Sequence, residues 1–205
     1  MVVPGSCRLG VAAGMAALQV FYNLATGLWK TAEWWNAANA LETTIDYSTL
    51  TGTLTYRGDI FNTFDKYKGS NFLSPWFFDD EGWWALTWIK AYDLTGETRY
   101  LDMAKTIFND MKGGWDSTCG GGLWWKKLKQ QRTYKNAITN ELFLSVAARL
   151  HLRSPGDNGP GSYLDWAQRE WDWFKHTGQL NSSYLINDGL NSSCQNNGQT
   201  TWTYN

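Results

Sequence analysis

The sequence predicts an all-α fold built from αα-hairpins, and three observations carry that prediction. Apolar residues recur at helical spacing along most of the chain. No alternating run is long enough to make a sheet, which leaves at most short ribbons in the loops. Finally, Tyr100-Leu101-Asp102-Met103-Ala104 returns as Tyr163-Leu164-Asp165-Trp166-Ala167, 63 residues later, and each copy opens the second helix of a hairpin. Hairpins that bury one face against the next build a solenoid or a closed toroid. The chain has 205 residues. That length holds little more than three such hairpins, about half to two-thirds of a six-hairpin ring.

The elements follow in order. One helix runs from Val11 to Tyr22, closed by the turn Ala25-Thr26-Gly27. Its apolar stretch is too short, and too interrupted by Gly14 and Gln19, to span a membrane, and Met1 to Gly10 shows no export signal. A second helix spans Trp34 to Tyr47, with Ala37, Ala38, Leu41 and Ile45 on one face, and a third is expected from Thr49 to Phe64. Ser74-Pro75 breaks the chain. Asp79-Asp80-Glu81 then supplies acidic helix-start chemistry for a helix from Trp83 to Leu94, ended by Thr95-Gly96. Thr98 to Met111 forms its antiparallel partner. After a glycine-rich loop from Gly113 to Gly122 come helices from Asn136 to His151 and from Tyr163 to Thr177. His151 and His176 fall at helix ends, where C-terminal capping is the expected role. The rest reads as loop.

Composition narrows the function. Eighteen Lys and Arg oppose 19 Asp and Glu, a net charge of −1 without a basic stripe, which excludes a nucleic-acid binder and a polybasic membrane anchor. No protein partner is evident. The aromatic content is high, with 14 Trp, 10 Tyr and 9 Phe. Trp is seldom fully buried, so this many leaves several free to line a cleft and stack on sugar rings. Cys7, Cys119 and Cys194 lack metal-ligand spacing, although Cys119 and Cys194 lie in loops where a bridge is sterically easy. Asn181-Ser-Ser and Asn191-Ser-Ser have the form of glycosylation acceptors. With no Ser elbow, Walker loop or Cys/His cluster, neither a cofactor nor a metal is expected.

Asp79-Asp80 is the candidate catalytic centre. Adjacent side chains that diverge bring two carboxyls to about 5 Å, the separation of a retaining glycosidase pair. Neighbouring acids also split their pKa values, leaving one as nucleophile and one as acid. Both residues equally suit a helix start. The aromatic rim of Trp76, Phe77, Phe78, Trp83 and Trp84 favours the catalytic reading, because apolar surroundings raise a carboxyl pKa. The other candidates lie in four segments. Trp34-Trp35-Asn36-Ala37-Ala38-Asn39 places two amides three apart on one helix face beside stacking rings. Trp124-Trp125 follow the flexible Gly120-Gly121-Gly122. Lys135-Asn136 and Asn140-Glu141 open an apolar helix, and Asn187-Asp188-Gly189 reads as a turn.

Taken together, the segments resemble glycoside hydrolase family 76, the α-1,6-mannanases of fungi and bacteria. The resemblance runs through TGLW (26–29), WWNAANALETTIDY (34–47), FFDDEGWWALTWIKAYDLTG (77–96) and GWDSTCGGGLWW (114–125), and through YKNAITNELFLSVAARL (134–150), YLDWAQREWDWF (163–174), LINDGL (185–190) and WTYN (202–205). It implies an (α/α)6 toroid that cleaves α-1,6-mannan with retention, with Asp79 as nucleophile and Asp80 as general acid/base. It also implies cleft-lining roles for Trp34, Trp35, Asn36, Asn39, Trp83, Trp84, Trp124, Trp125, Lys135, Asn136, Asn187 and Asp188, and a secreted or cell-wall location. Members normally continue past the WTYN segment, so the resemblance makes this chain a C-terminally truncated member holding one partial domain over 1–205. Two rival readings follow, a transglycosidase of the same family and an inactive sugar-binding fragment.

Overall fold

In the computed structural model, the backbone is described for 5–205 and side chains from Gly10 onward; Cys7 lies outside the described side chains. Seven α-helices occur among the described residues: α1 (Gly5–Gln19), α2 (Trp34–Thr51), α3 (Arg57–Tyr67), α4 (Phe78–Thr95), α5 (Thr98–Met111), α6 (Ala137–His151) and α7 (Tyr163–Phe174). A two-residue antiparallel ribbon, β1 (Tyr22–Asn23) and β2 (Leu28–Trp29), turns at 25–27. The all-α expectation holds, and the repeat at Tyr100 and Tyr163 opens α5 and α7 as read from the sequence.

Three boundaries differ from expectation. α2 and α3 are separate, because Gly52 takes a left-handed φ of 69° and closes α2 with its amide on the Ser48 carbonyl. The expected helix from Thr49 to Phe64 therefore straddles a helix stop. α4 starts five residues before Trp83, at Phe78, so the acids lie inside its first turn. α1 begins earlier and ends at Gln19. Of the two histidines, His176 does cap a helix end, with Nδ1 2.6 Å from the Asp172 carbonyl, whereas His151 turns to Asp157 at 3.1 Å.

The hairpins form two layers. α2, α4 and α6 pack side by side, and α5 and α7 return along the outside of α4 and α6. Sequence dictates which helix goes where. α5 and α7 each carry a single apolar stripe, suited to an outer position. α4 is apolar nearly all round, burying Phe78, Trp84, Ala85, Trp88, Ile89 and Ala91, so it belongs between neighbours. Its tryptophans anchor the core: Trp88 stacks on Tyr100 at 5.5 Å and meets Phe64 and Phe72 edge-on.

Because the outer helices carry the chain back, the N-termini of α2, α4 and α6 open on one end. Beyond α7 the chain repeats a small hairpin. Asn181 and Asn191 each accept backbone amides two and four residues ahead. A disulfide between Cys119 and Cys194 ties this segment to the glycine-rich loop.

Candidate active site

A cleft of about 340 Å³ lies at that shared end. Glu33, Trp34 and Trp35 line it from the start of α2, and Phe77, Asp79, Asp80 and Trp83 from the start of α4. Ile138 comes from α6, with Trp125 and Tyr204 from the loops. The positive ends of three helix dipoles converge there, an environment that favours negative charge. Its walls are ordered aromatics. Trp35 and Trp83 stack at 6.0 Å, Phe77 and Trp125 at 4.5 Å, and Tyr204 meets Trp35 edge-on at 6.4 Å.

The two acids are held differently. Asp79 accepts the indole N–H of Trp125 at both oxygens, 3.1 Å each, and the Asp80 amide on Oδ1 at 3.1 Å. Burial, with the Asp80 charge second, pushes the Asp79 carboxyl up to about 7 against those donors. Asp80 accepts a single hydrogen bond, from the Ser74 hydroxyl at 3.2 Å. Burial raises its pKa as well, and Glu33 adds to the rise. Beneath them Glu81 is fully buried, with Oε2 2.7 Å from the Lys127 ammonium. Burial lifts Glu81 to about 9 despite that cation, and the nearby Asp110 carboxylate adds to the rise, so Glu81 holds its proton at neutral pH.

The structure brings Trp34, Trp35, Trp83 and Trp125 to the acid pair but directs the other candidates elsewhere. Trp84 has no exposed surface and packs on Trp34, Phe72 and Trp88; the step of about 100° between successive helical residues turns it into the core while Trp83 faces the cleft. Asn39 donates to the Trp35 carbonyl and lines the groove toward α1, not the cleft. Asn36, half-buried in the same turn, is absent from the cleft wall.

Lys135 is a loop organiser. Its buried ammonium reaches Asp116 Oδ1 at 2.9 Å and the carbonyls of Thr118, Gly121 and Gly122 at 2.7 to 2.9 Å. Trp124 belongs to the same hub, donating to Asp116 at 2.6 Å under the Lys135 charge. Asn136 is buried at the N-cap of α6. Asn187 spans the tail, donating to the Gln199 carbonyl and accepting from Asn181 and Asn196. Asp188 accepts from Tyr134 and from the Trp202 indole, which stacks on Tyr204. It therefore supports the cleft wall from behind.

Phe77 lines the cleft as the aromatic rim implied, whereas Glu33, Ile138 and Tyr204 were not singled out from the sequence. Only Glu33 carried a local signal, as the acid just before the Trp34-Trp35 helix start. A wider depression of about 540 Å³ lies beside the disulfide, but its one carboxylate, Asp172, pairs with Lys175. Among the described residues, no group of three or more His, Cys, Asp or Glu could hold a metal ion.

Helical hairpins whose N-termini converge on paired acids under aromatic walls have the build of a helical glycosidase. The chain belongs to glycosyl hydrolase family 76, whose sequence model matches 15–205. It is similar to the mannan endo-1,6-α-mannosidase DCW1 of Candida albicans, 30% identical over 84% of this chain and 42% of that protein. The DCW1 of Saccharomyces cerevisiae is 28% identical over the same shares. Among solved structures, the α-1,6-mannanase of Salegentibacter sp. HEL1_6 matches with a TM-score of 0.75 at 22% identity, covering 89% of this chain and 55% of that one. Dfg5 of Chaetomium thermophilum, solved with glucosamine, matches at 0.74 and 21%, covering 94% and 54%. The chain thus spans less than half the length of the curated relatives it matches and about half of the solved ones.

Proposed function

We propose that this chain carries the catalytic pair of a retaining endo-α-1,6-mannanase. The carrying observation is the adjacent pair Asp79-Asp80, half-buried in a tryptophan-walled cleft of a family 76 chain. Supporting it, the relatives bear the name mannan endo-1,6-α-mannosidase. Variants of the Salegentibacter mannanase with two consecutive aspartates replaced are described as inactive and hold α-1,6-mannotetrose or mannotriose.

Asp79 acts as nucleophile. Its donors and the helix N-terminus stabilise a carboxylate. Asp80 protonates the leaving glycosidic oxygen as Asp79 attacks the anomeric carbon. A glycosyl–Asp79 ester forms, and Asp80, now a base, takes a proton from the water that releases the mannan fragment with its anomeric configuration retained. The carboxyls titrate as a pair. Burial leaves Asp79 at about 7, so only part of the population at neutral pH has it ionised. The productive form is the one with the pair's proton on Asp80. Trp35, Trp83, Trp125 and Tyr204 offer ring faces to the mannosyl units.

Proton NMR of the first product from α-1,6-mannotetrose tests this reading: the new reducing end appears as the α-anomer, and a β-anomer appearing first would refute it. The similarity to Dfg5 with its bound amino sugar favours a second reading, transfer of the mannosyl unit to another sugar instead of water. Longer glycans formed only with added acceptor would establish it. The disulfide and the two acceptor-type triplets support an oxidising, secretory or cell-wall setting. No helix among the described residues is long and apolar enough to cross a membrane.

A further inference from the structure

We propose that Ser74 is a positioning residue for this reaction, fixing Asp80 through Oδ2 and leaving Oδ1 to carry the proton given to the leaving group. The inference rests on the reading of Asp80 as the acid and adds the group that orients it. Ser74 is 3% exposed, and its hydroxyl is fully committed. The amides of Trp76 and Phe77 donate to Oγ at 3.3 and 3.1 Å, filling its acceptor sites, so its one proton goes to Asp80 Oδ2 at 3.2 Å. An oxygen that accepts this bond is poorly placed to hold the acidic proton, which leaves Oδ1.

Ser74 is itself clamped. Its amide donates to Glu81 Oε2 at 3.2 Å, and the same oxygen accepts from Lys127. Lys127 also donates its amide to the Trp76 carbonyl, and Phe78 donates to the carbonyl of Trp125, the residue that holds Asp79. One buried node therefore orients both acids. The charged and titratable groups around Asp80 are Asp79 on its own helix, Glu33 from the start of α2 and Tyr204 from the tail, with Glu81 and Lys127 behind Ser74. No cation lines the cleft among the described residues, so Ser74 is the side chain that steadies the ionised form of Asp80.

The test is a carbon-13 carboxyl titration of the full chain and its Ser74→Ala, Ser74→Cys and Ser74→Thr variants. Ser74→Ala raises the Asp80 midpoint by about one unit and moves its coupled neighbour Asp79 by clearly less, Ser74→Cys gives a smaller rise because a thiol is a weak donor, and Ser74→Thr restores the parent value. Kinetically, Ser74→Ala lowers kcat on mannan oligosaccharides about tenfold with little change in KM, and loses less on an aryl mannoside whose leaving group needs no proton. An unmoved Asp80 midpoint in folded Ser74→Ala and Ser74→Cys overturns the proposal. So does an equal shift of both aspartates, which would mark a collapsed turn. A chain without glycosidase activity would refute the proposed function, while the titration would still decide the role of Ser74.

Discussion

Replacing Lys135 by Met separates a structural role from a ligand-binding one, because the side chain keeps its length and loses its charge. The ammonium is fully buried and serves Asp116 and the carbonyls of Thr118, Gly121 and Gly122. Burial pushes the amine below its usual pKa, and Asp116 pulls the other way. Partial burial works against ionisation of Asp116, yet hydrogen bonds from Trp124 and Lys135 outweigh it and hold that carboxyl at about 2. In Lys135→Met the carbonyls of Thr118, Gly121 and Gly122, and more weakly that of Asp116, lose their donor, at about 1–3 kcal/mol each where water cannot replace it. Relief of the buried ammonium's desolvation, several kcal/mol, offsets part of that sum. Asp116 is 42% exposed along its side chain and recovers solvent readily. The net expectation is a loss of about 3–5 kcal/mol, the usual result of removing one partner from a buried ion pair. Urea denaturation followed by tryptophan fluorescence measures it. A loss below about 1 kcal/mol together with a tenfold higher KM would refute the hub and return Lys135 to the substrate.

Two further outcomes follow from the same packing. Glu170 is fully buried with no hydrogen bond to either oxygen, and burial lifts it from 4.5 to about 8 against the pull of the Lys135 charge. The unfolded chain ionises first, so this group costs nothing below pH 4.5 and lowers stability progressively as the pH climbs toward 8. Glu170→Gln should stabilise the chain by up to about 3 kcal/mol at pH 7 and flatten the fall in melting temperature between pH 5 and 8; an unchanged pH slope would contradict it. Gly122 has a φ of +82°, and a Cβ there would sit 2.3 Å from the Trp173 ring. Gly122→Ala should cost about 2–5 kcal/mol from backbone strain and overpacking, and a melting temperature near the parent's would show that Trp173 can swing away.

What the sequence made legible was local. The acid pair, the Trp doublets and the hairpin repeat are each visible within a few residues, and the helices themselves were found, but α1 and α4 start five or six residues earlier than expected and Gly52 cuts α2 from α3. Orientation was less legible. Trp83 and Trp84 have the same chemistry and neighbours, and only the start of α4 at Phe78 decides which one enters the cleft. Lys135 looked like a ligand contact because its partners are backbone carbonyls of a glycine-rich loop, which carry no side-chain signature. Asp188 and Asn187 read as a turn, and their hydrogen bonds support a wall that only the fold assembles. Tyr204 reaches Asp79 across 125 positions of sequence, and Cys119 reaches Cys194 across 75. Neither contact follows from periodicity.

The central claim is that Asp79 and Asp80 divide nucleophile and acid/base work between them. Azide rescue of Asp79→Ala and Asp80→Ala on an activated aryl α-mannoside tests it most directly. Each variant should lose at least about a thousandfold on mannan oligosaccharides. With azide, Asp80→Ala should yield the α-mannosyl azide, because the ester on Asp79 still forms and is then displaced. Asp79→Ala should yield the β-azide by direct attack. The opposite pair of products would exchange the two roles, and near-parental activity in either variant would remove the pair from the chemistry.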